Sequence, residues 1–163
     1  MPTRFEHRAT FPAPAASVYS ALVDRGFLEE RLRVLGGKSD AVTEYTRTGD
    51  EVTYRLRQGI EAEKLPGAVR SLLKGDLVVE REESWQPDGG GYAATGRATI
   101  SGVPGEIKSR SRLAGGELVI TAEVRVGIPL VGGKLEGVIA EQVRKLLAAE
   151  SELAGKWLAE RGS

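Results

Sequence analysis

The chain has 163 residues, of which 40% are hydrophobic and 28% charged, a composition typical of a globular protein that buries a substantial core. Its 23 basic and 23 acidic side chains give a formal net charge of zero, so the sequence lacks the basic surplus typical of nucleic-acid-binding proteins. It has no cysteine, which excludes disulfides, cysteine nucleophiles and cysteine metal sites. It has a single histidine, which argues against a zinc site built from several histidines. We therefore expect no metal, no other cofactor and no nucleic-acid partner.

The charge distribution also predicts where the protein resides. The first eight residues, MPTRFEHR, are charged from the start, unlike a secretory signal peptide. The longest stretch without a charged residue, 9–23, contains two prolines and is too short to span a bilayer. We expect a cytoplasmic protein without a transmembrane segment, folded as a single domain over residues 1–163, whose oligomeric state is left open.

The first third of the chain predicts one strand followed by two short helices. Over 3–11, apolar residues and His7 alternate with charged residues, which is the pattern of a half-buried strand. Pro14 follows and is suited to the first turn of a helix, where its missing N–H group costs nothing. Apolar residues at helical spacing then predict helices up to residue 23 and over 27–35.

From residue 39 the pattern changes from a helical period to a period of two. Glycine-rich turns, which tight hairpins require, separate six further predicted strands. These cover 39–48, 50–60, 76–86, 91–101, 105–114 and 116–127. Residues 61–75 are the exception and predict a short helix or an ordered loop, in which the segment from Leu65 to Leu73 either covers a cavity mouth or packs over the end of the sheet.

One long helix ends the chain. From Leu130 to about Arg161 there is no proline, and Leu135, Ile139 and Leu146 recur at helical spacing. Two glycines precede this apolar stripe. The pattern predicts a single amphipathic helix.

This order of elements is that of the helix-grip fold. Phe11–Asp24, FPAPAASVYSALVD, resembles the entry motif of the START/SRPBCC superfamily, which includes the birch-pollen allergens and polyketide cyclases. Gly127–Ala140, GIPLVGGKLEGVIA, resembles an uncharacterised actinobacterial branch of that superfamily. The resemblance implies an α+β fold, in which a curved seven-stranded antiparallel sheet wraps around the long C-terminal helix and two short helices follow the first strand. It also implies an apolar cavity between sheet and helix, but no catalytic residue, because the superfamily has none in common.

Strand alternation predicts which side chains face that helix. Several are small, which indicates either a closely packed helix or a cavity, and the resemblance favours the cavity. Others are polar and need partners if they are buried. The predicted lining of the cavity is His7, Tyr54, Gln58, Arg81, Glu83, Trp85, Tyr92, Ala94, Ser109, Ser111, Ala122, Leu135, Ile139, Gln142 and Leu146.

Three polar residues in this set have two interpretations each. Arg81 and Glu83 share the inward face of their strand, where they pair with each other or with Gln142, or else a β-bulge turns both into solvent. His7 is either a general base or a hydrogen-bonded core residue. Glu150 lies near the edge of the helical stripe.

Three functions follow as alternatives. The leading one is non-enzymatic binding of a hydrophobic small molecule or lipid between sheet and helix. The second is a polyketide cyclase/aromatase- or dehydratase-like enzyme, for which His7, Tyr54, Tyr92, Arg81 and Glu83 are the acid–base candidates. The third is a protein-interaction domain that uses the outer face of the sheet, although that face is rich in arginine and glutamate and offers no apolar patch.

Overall fold

Seven strands and four helices make up the described part of the chain in a computed structural model, which covers residues 2–36, 40–60, 67–72 and 77–161. In chain order they are β1 (Thr3–Thr10), α1 (Ala15–Leu22), α2 (Arg25–Leu35), β2 (Ala41–Thr48), β3 (Glu51–Ile60), α3 (Gly67–Leu72), β4 (Leu77–Asp88), β5 (Gly91–Ile100), β6 (Gly105–Ala114), β7 (Glu117–Val126) and α4 (Gly132–Arg161). Every predicted strand and helix is present.

The seven strands form one curved antiparallel sheet with the order β1-β7-β6-β5-β4-β3-β2. Strands β2 to β7 pair in chain order, each with the next, and β1 completes the sheet by pairing with β7. The pairings from β3 through to β1 keep an unbroken register, whereas the edge strand β2 shifts its register against β3 between Val42 and Glu44. The long helix α4 packs across the inner face of this sheet, so the predicted helix-grip fold is confirmed.

The junction of α1 and α2 shows how local chemistry sets the helix ends. The predicted break at Asp24 is a helix cap, because its Oδ1 accepts a hydrogen bond of 3.0 Å from the backbone N–H of Phe27. Gly26 lies inside the first turn of α2, where a Cβ atom would come within 2.9 Å of that same capping oxygen. The glycine therefore belongs to the cap and does not end α1.

Two apolar cores lie between the sheet and the helices. In the first core, α1 and α2 pack against inward-facing residues of β3, β4 and β6, and Phe27, Trp85 and Leu113 are among its members. The second core packs the first half of α4 against β1 and β7, with Phe5 and Leu135 among its members. On α4, Leu147 belongs to the second core and Ala154 to the first, so Glu150 lies between them. The boundary between the two cores is where the polar residues gather.

The buried stripe of α4 differs from the predicted one at two positions. Leu135 and Ile139 are buried as expected, but Leu147 is buried where Leu146 is half-buried. Gln142 is exposed, which corrects the prediction that it lies near the inner stripe. Successive residues of an α-helix are rotated by about 100° around its axis. The next residue, Val143, is half-buried against the core, so Gln142 points away from the sheet into solvent.

Two further observations bear on the predicted function. Within 61–75 the structure describes only α3, and Leu65 and Leu73, the ends of the predicted cover, lie outside the described residues. None of the described helices is both long and apolar enough to cross a membrane.

Candidate functional site

Strand β4 carries two charged side chains into the interior. It pairs without interruption with β3 and β5, and Glu83 lies opposite Tyr54 while Arg81 lies opposite Leu56. The Glu83 residue is only 8% exposed. The interpretation that a β-bulge turns both residues into solvent is therefore wrong, because regular alternation keeps them on the inner face.

These two side chains belong to a network of four buried charges, which we call the inner ionic cluster and define as Arg31, Arg81, Glu83 and Glu150. Arg81 donates from Nη1 and Nη2 to the two carboxylate oxygens of Glu150, at 2.7 and 3.1 Å. Its Nε lies 2.7 Å from Oε2 of Glu83. The Nε of Arg31 lies 3.5 Å from Oε2 of Glu150. Two positive and two negative charges thus give the cluster a formal charge of zero.

The cluster joins three elements that are far apart in the sequence. Arg31 comes from α2, Arg81 and Glu83 from β4, and Glu150 from α4. The sequence analysis missed Arg31, although its spacing from Phe27 and Leu28 places it on the apolar face of α2. Its exposure of 4% agrees with that position.

The contacts among these charged side chains determine whether Arg81 and Glu150 are ionised. Burial alone would lower the pKa of Arg81, but Glu150 and Glu83 raise this pKa well above its usual value. Burial likewise acts to raise the pKa of Glu150, yet Arg31 and Arg81 outweigh it and hold this pKa below the usual value. Both side chains therefore stay charged at neutral pH.

Tyr54 lies beside this network as a neutral phenol. Burial raises the pKa of Tyr54, and the negative charge of Glu83 raises it further, while Arg31 and Arg81 act in the opposite direction. All three charged groups are therefore close enough to act on one hydroxyl. A phenol with a raised pKa releases its proton less readily than an ordinary tyrosine.

Four buried polar atoms at this site have no hydrogen-bond partner within the part of the chain that the structure describes. They are Nε and Nη2 of Arg31, Oε2 of Glu83 and Nε1 of Trp85. Arg81 and Glu83 are thus joined by an ion pair and not by a hydrogen bond. Two of these atoms nevertheless contact an opposite charge, because Oε2 of Glu83 lies 2.7 Å from Arg81 and Nε of Arg31 lies 3.5 Å from Glu150. The indole of Trp85 lies beside the Tyr54 hydroxyl and acts to lower its pKa.

Small side chains cover the sheet next to these atoms. One row runs from Glu83 through Gly96 and Ser109 to Ala122 on four adjacent strands. A Cβ atom on Gly96 would come within 2.3 Å of Oγ of Ser109, which accounts for the glycine. We call the inward small residues of β5, β6 and β7 the inner trough, whose members are Ala94, Gly96, Ala98, Ser109, Ser111 and Ala122.

The inner trough is closed at one end and partly open at the other. Ala94, Ser111 and Ala122 are buried, whereas Ala98 and Ser109 are half-buried. Beyond Ala98 lies a narrow cavity of about 10 Å³, roughly the room that one water needs. Its apolar lining consists of Ala98, Ile100, Val103, Ile107, Val124, Val126 and Ile139.

His7 connects β1 to α4 at the edge of this region. Its Nε2 lies 3.0 Å from Oγ of Ser151, the residue that follows Glu150. Burial lowers the pKa of His7, Glu150 opposes this effect, and Arg144 adds to it. His7 thus has the hydrogen-bonded role that was one of its two interpretations, and Ser151 is a partner that the sequence analysis did not identify.

The other predicted lining residues lie around the cluster or away from it. Gln58 is buried on the inner face of β3. Tyr92 stacks on Tyr19 of α1, with ring centroids 3.8 Å apart, and Trp85 meets the edge of the same tyrosine. Of the acid–base candidates, the structure brings Tyr54, Arg81 and Glu83 together and leaves His7 and Tyr92 outside the cluster. Among the described residues, no group of three acidic or histidine side chains is arranged to hold a metal ion.

The outer face of the sheet has a different character. Open grooves of about 430 to 700 Å³ run over it, lined by charged and hydroxyl side chains. Exposed ion pairs cross the strands there, including Arg55 with Glu82 and Arg97 with Glu106, each at 2.6 Å. These grooves are solvated surface, so the polar groups that call for a partner are those on the inner face.

Comparisons with solved structures bear on the fold. The Zhui aromatase/cyclase from Streptomyces sp. R1128 superposes with a TM-score of 0.66 at 14% identity, covering 100% of this chain and 97% of that one. Ara h 8.0201 gives 0.62 at 12% identity over 99% and 100% of the two chains. A START superfamily protein from Mycobacterium smegmatis gives 0.55 at 14% identity over 95% and 98%. At these identities the similarity establishes a shared fold and confirms the resemblance to the START/SRPBCC superfamily.

Comparisons of sequence establish the family. The uncharacterized protein Rv0481c of Mycobacterium tuberculosis H37Rv is 28% identical over 170 residues, which cover 97% of this chain and 98% of the relative. The family model described as a protein of unknown function, DUF2505, matches residues 6–158. Because that match includes nearly the whole chain, the protein belongs to the DUF2505 family.

Proposed function

We propose that this protein binds a hydrophobic small molecule or lipid between the inner face of the sheet and α4, as a single ligand-binding domain over residues 1–163 in the cytoplasm. The observation that carries the proposal is the inner trough of small side chains lying beside the buried polar residues Arg31, Glu83 and Trp85, some of whose atoms make no hydrogen bond among the described residues. Small-molecule sites typically combine a mostly apolar lining with a few convergent polar groups. This part of the fold has both.

Incomplete burial of the inner face supports the same conclusion. Interior side chains normally pack to the density of organic crystals. Ala98, Ile100 and Ile107 point inward from central strands and yet are only half-buried. On α4, Leu146 is half-buried as well. Apolar surface that faces the interior without being covered is suited to an apolar ligand.

The proposed site is a revised version of the predicted one. It keeps the inner trough, the inward residues of β3 and β4, and the apolar residues of α4. Arg31 and Glu150 join it because they contact or flank Arg81. Gln142 leaves it because it is exposed.

The experiment is native mass spectrometry of the protein mixed with fatty alcohols, fatty acids, sterols and aromatic compounds. We expect one equivalent of at least one class to bind. The substitution Ala98→Leu adds bulk to the half-buried end of the trough and should reduce binding at least tenfold. Its matched control is Ala93→Leu on the outer face of the same strand, which should bind like the wild type. Equal binding by both variants, or no binding by the wild type, would contradict the proposal.

A second candidate is a cyclase/aromatase- or dehydratase-like enzyme, favoured by Tyr54 lying opposite Glu83 and close to Arg81. The raised pKa of Tyr54 makes it a weak proton donor, so we place binding first. Incubation of the protein with an aromatic polyketide precursor distinguishes binding from catalysis. Release of the compound with unchanged mass supports binding alone, and loss of one water per molecule supports catalysis.

A further inference from the structure

The outer face of the sheet is solvated in a single copy of the chain, yet its charges are separated into two halves. Strand alternation turns every second side chain outward, and the pairing registers identify these side chains. On the half formed by β5, β6, β7 and β1, seven of them are basic and four are acidic, which gives a formal charge of +3. The basic residues are Lys108, Arg110 and Arg112 on β6 and Arg4, Arg8, Arg97 and Arg125 on its neighbours. The acidic residues are Glu6, Glu106, Glu117 and Glu123.

The other half, formed by β2, β3 and β4, has the opposite balance. Its outward charged residues are the acidic Glu44, Glu51, Glu80, Glu82 and Asp88 and the basic Arg55 and Arg57, which give a formal charge of −3. The boundary between the two halves runs between β4 and β5. Both strands also carry small uncharged side chains on this face, among them Ser84, Ala93 and Thr95.

Ion pairs within each half do not remove this imbalance. On the positive half, Glu106 is shared by Arg97 and Lys108, at 2.6 and 3.3 Å. On the negative half, Arg55 is shared by two glutamates, Glu82 at 2.6 Å and a second one at 3.6 Å. Each half therefore has too few opposite charges to pair all of its own.

One exposed side chain on each half has no ion pair with any residue that the structure describes. These are Arg110 on β6 and Glu51 on β3. Both line the same open groove of about 640 Å³ on the outer face. Three strand spacings, about 14 Å in total, separate the strands that carry them. The groove thus has an unpaired positive charge on one side of the boundary and an unpaired negative charge on the other.

This arrangement is complementary to itself. A strongly acidic or strongly basic partner would be attracted by one half of the face and repelled by the other. A second copy of this chain matches both halves at once, because each positive half lies against a negative one. The small side chains along the boundary let the two sheets approach each other there.

We propose that two copies of this chain associate through the outer faces of their sheets, related by a two-fold axis that lies in the interface along the boundary between β4 and β5. Arg110 of one copy then pairs with the partner's Glu51, and the symmetric contact forms at the same time. The interface is polar and has no apolar centre, so the dimer is a transient one that high salt dissociates. It leaves the inner face of the sheet free, and it is independent of the proposed binding function.

Sedimentation equilibrium of the full chain at pH 7.5 tests the association. In about 20 mM sodium chloride we expect a monomer–dimer equilibrium, and in about 500 mM we expect a dissociation constant at least about tenfold higher. A protein that stays monomeric at millimolar concentration in low salt would overturn the inference. So would a dimer whose dissociation constant is the same in both salts.

Charge reversal tests the contact itself. Arg110→Glu and Glu51→Arg each place like charges in both symmetric contacts, so each variant alone should dissociate at least about tenfold more readily than the wild type. An equimolar mixture of the two should associate again. One copy then has acidic side chains at both positions and the other has basic ones, so both contacts are attractive. A mixture that stays monomeric would overturn the inference.

The matched controls change the net charge by the same amounts at exposed positions of α4. Lys145→Glu corresponds to Arg110→Glu, and Glu152→Arg corresponds to Glu51→Arg. Each control should keep the wild-type dissociation constant within about twofold, because screening at moderate salt leaves charges on the far side of the molecule with little effect. Losses in the controls as large as in the outer-face variants would show that only the net charge matters and would contradict the proposed interface.

Discussion

At the scale of single residues, the site depends on charges that stabilise one another in the interior. Glu150 accepts two hydrogen bonds from Arg81 and lies 3.5 Å from Arg31. A buried ion pair contributes little compared with apolar residues of the same shape, but the loss of one partner leaves an unpaired buried charge. Each member is therefore costly to remove alone.

The first prediction concerns Glu150→Gln. Because both arginines lose their shared carboxylate, the free energy of unfolding should fall by about 3–5 kcal/mol. Urea denaturation followed by circular dichroism measures this loss. The control, Glu152→Gln, removes an exposed glutamate that pairs with Lys156 on the same helix and should change stability by less than about 0.5 kcal/mol. Similar losses in the two variants would contradict the buried network.

The second prediction concerns the only histidine, His7. Its folded-state pKa lies below the ordinary value of 6.5, so the unfolded chain binds the proton more strongly. The stability that His7 contributes is therefore complete above pH 6.5 and is lost as the pH falls through the folded-state pKa. Thermal melts between pH 7.5 and 5.5 should show a declining melting temperature, and His7→Gln should flatten that decline. An equally steep decline of the melting temperature in His7→Gln and in the wild type would show that a group other than His7 causes it.

At the scale of elements, strand alternation and glycine placement position the site. The regular pairing of β4 with its neighbours makes the inward direction of Arg81 and Glu83 readable from the sequence. Glycines serve two purposes on α4. Gly132, at its start, lies close to the end of β7, where a Cβ atom would be 2.7 Å from the carbonyl oxygen of Val126. Gly137, one turn later, has no atom within 4 Å of its Cβ position.

The third prediction uses this pair of glycines. Gly137→Ala should stabilise the protein by about 1 kcal/mol, because alanine is the better helix former and meets nothing. Gly132→Ala should destabilise it by about 1–3 kcal/mol, because the added methyl group pushes α4 away from β7. Chemical denaturation of both variants measures the difference. Stabilisation by both substitutions would show that α4 does not approach β7 as closely as described.

At the scale of the whole molecule, the cluster joins α2, β4 and α4 at the boundary between two apolar cores. The fold was predictable because each strand and helix carries its own periodic pattern, and the predicted order matches the structure. The inward direction of Arg81 and Glu83 was predictable for the same reason. Their pairing with each other was one of the predicted alternatives, and the 2.7 Å contact between them agrees with it. The helical members of the cluster, Arg31 and Glu150, were not predicted as partners, because the rotation and position of a helix against the sheet depend on packing that no local pattern records. For Gln142, the estimate of the helical stripe was one position off, enough to move a side chain from the interior to solvent.

The central claim, that a hydrophobic molecule lies between sheet and helix, is tested most directly by NMR on protein with ¹³C-labelled alanine methyl groups. Ala94, Ala98 and Ala122 place three such methyls on the inner face, and Ala93 places one on the outer face. With a compound that native mass spectrometry shows to bind, we expect nuclear Overhauser effects from the ligand to inner-face methyls and none to Ala93. Contacts to Ala93 without contacts to the inner methyls, or no ligand contacts at a saturating concentration of that compound, would contradict the account.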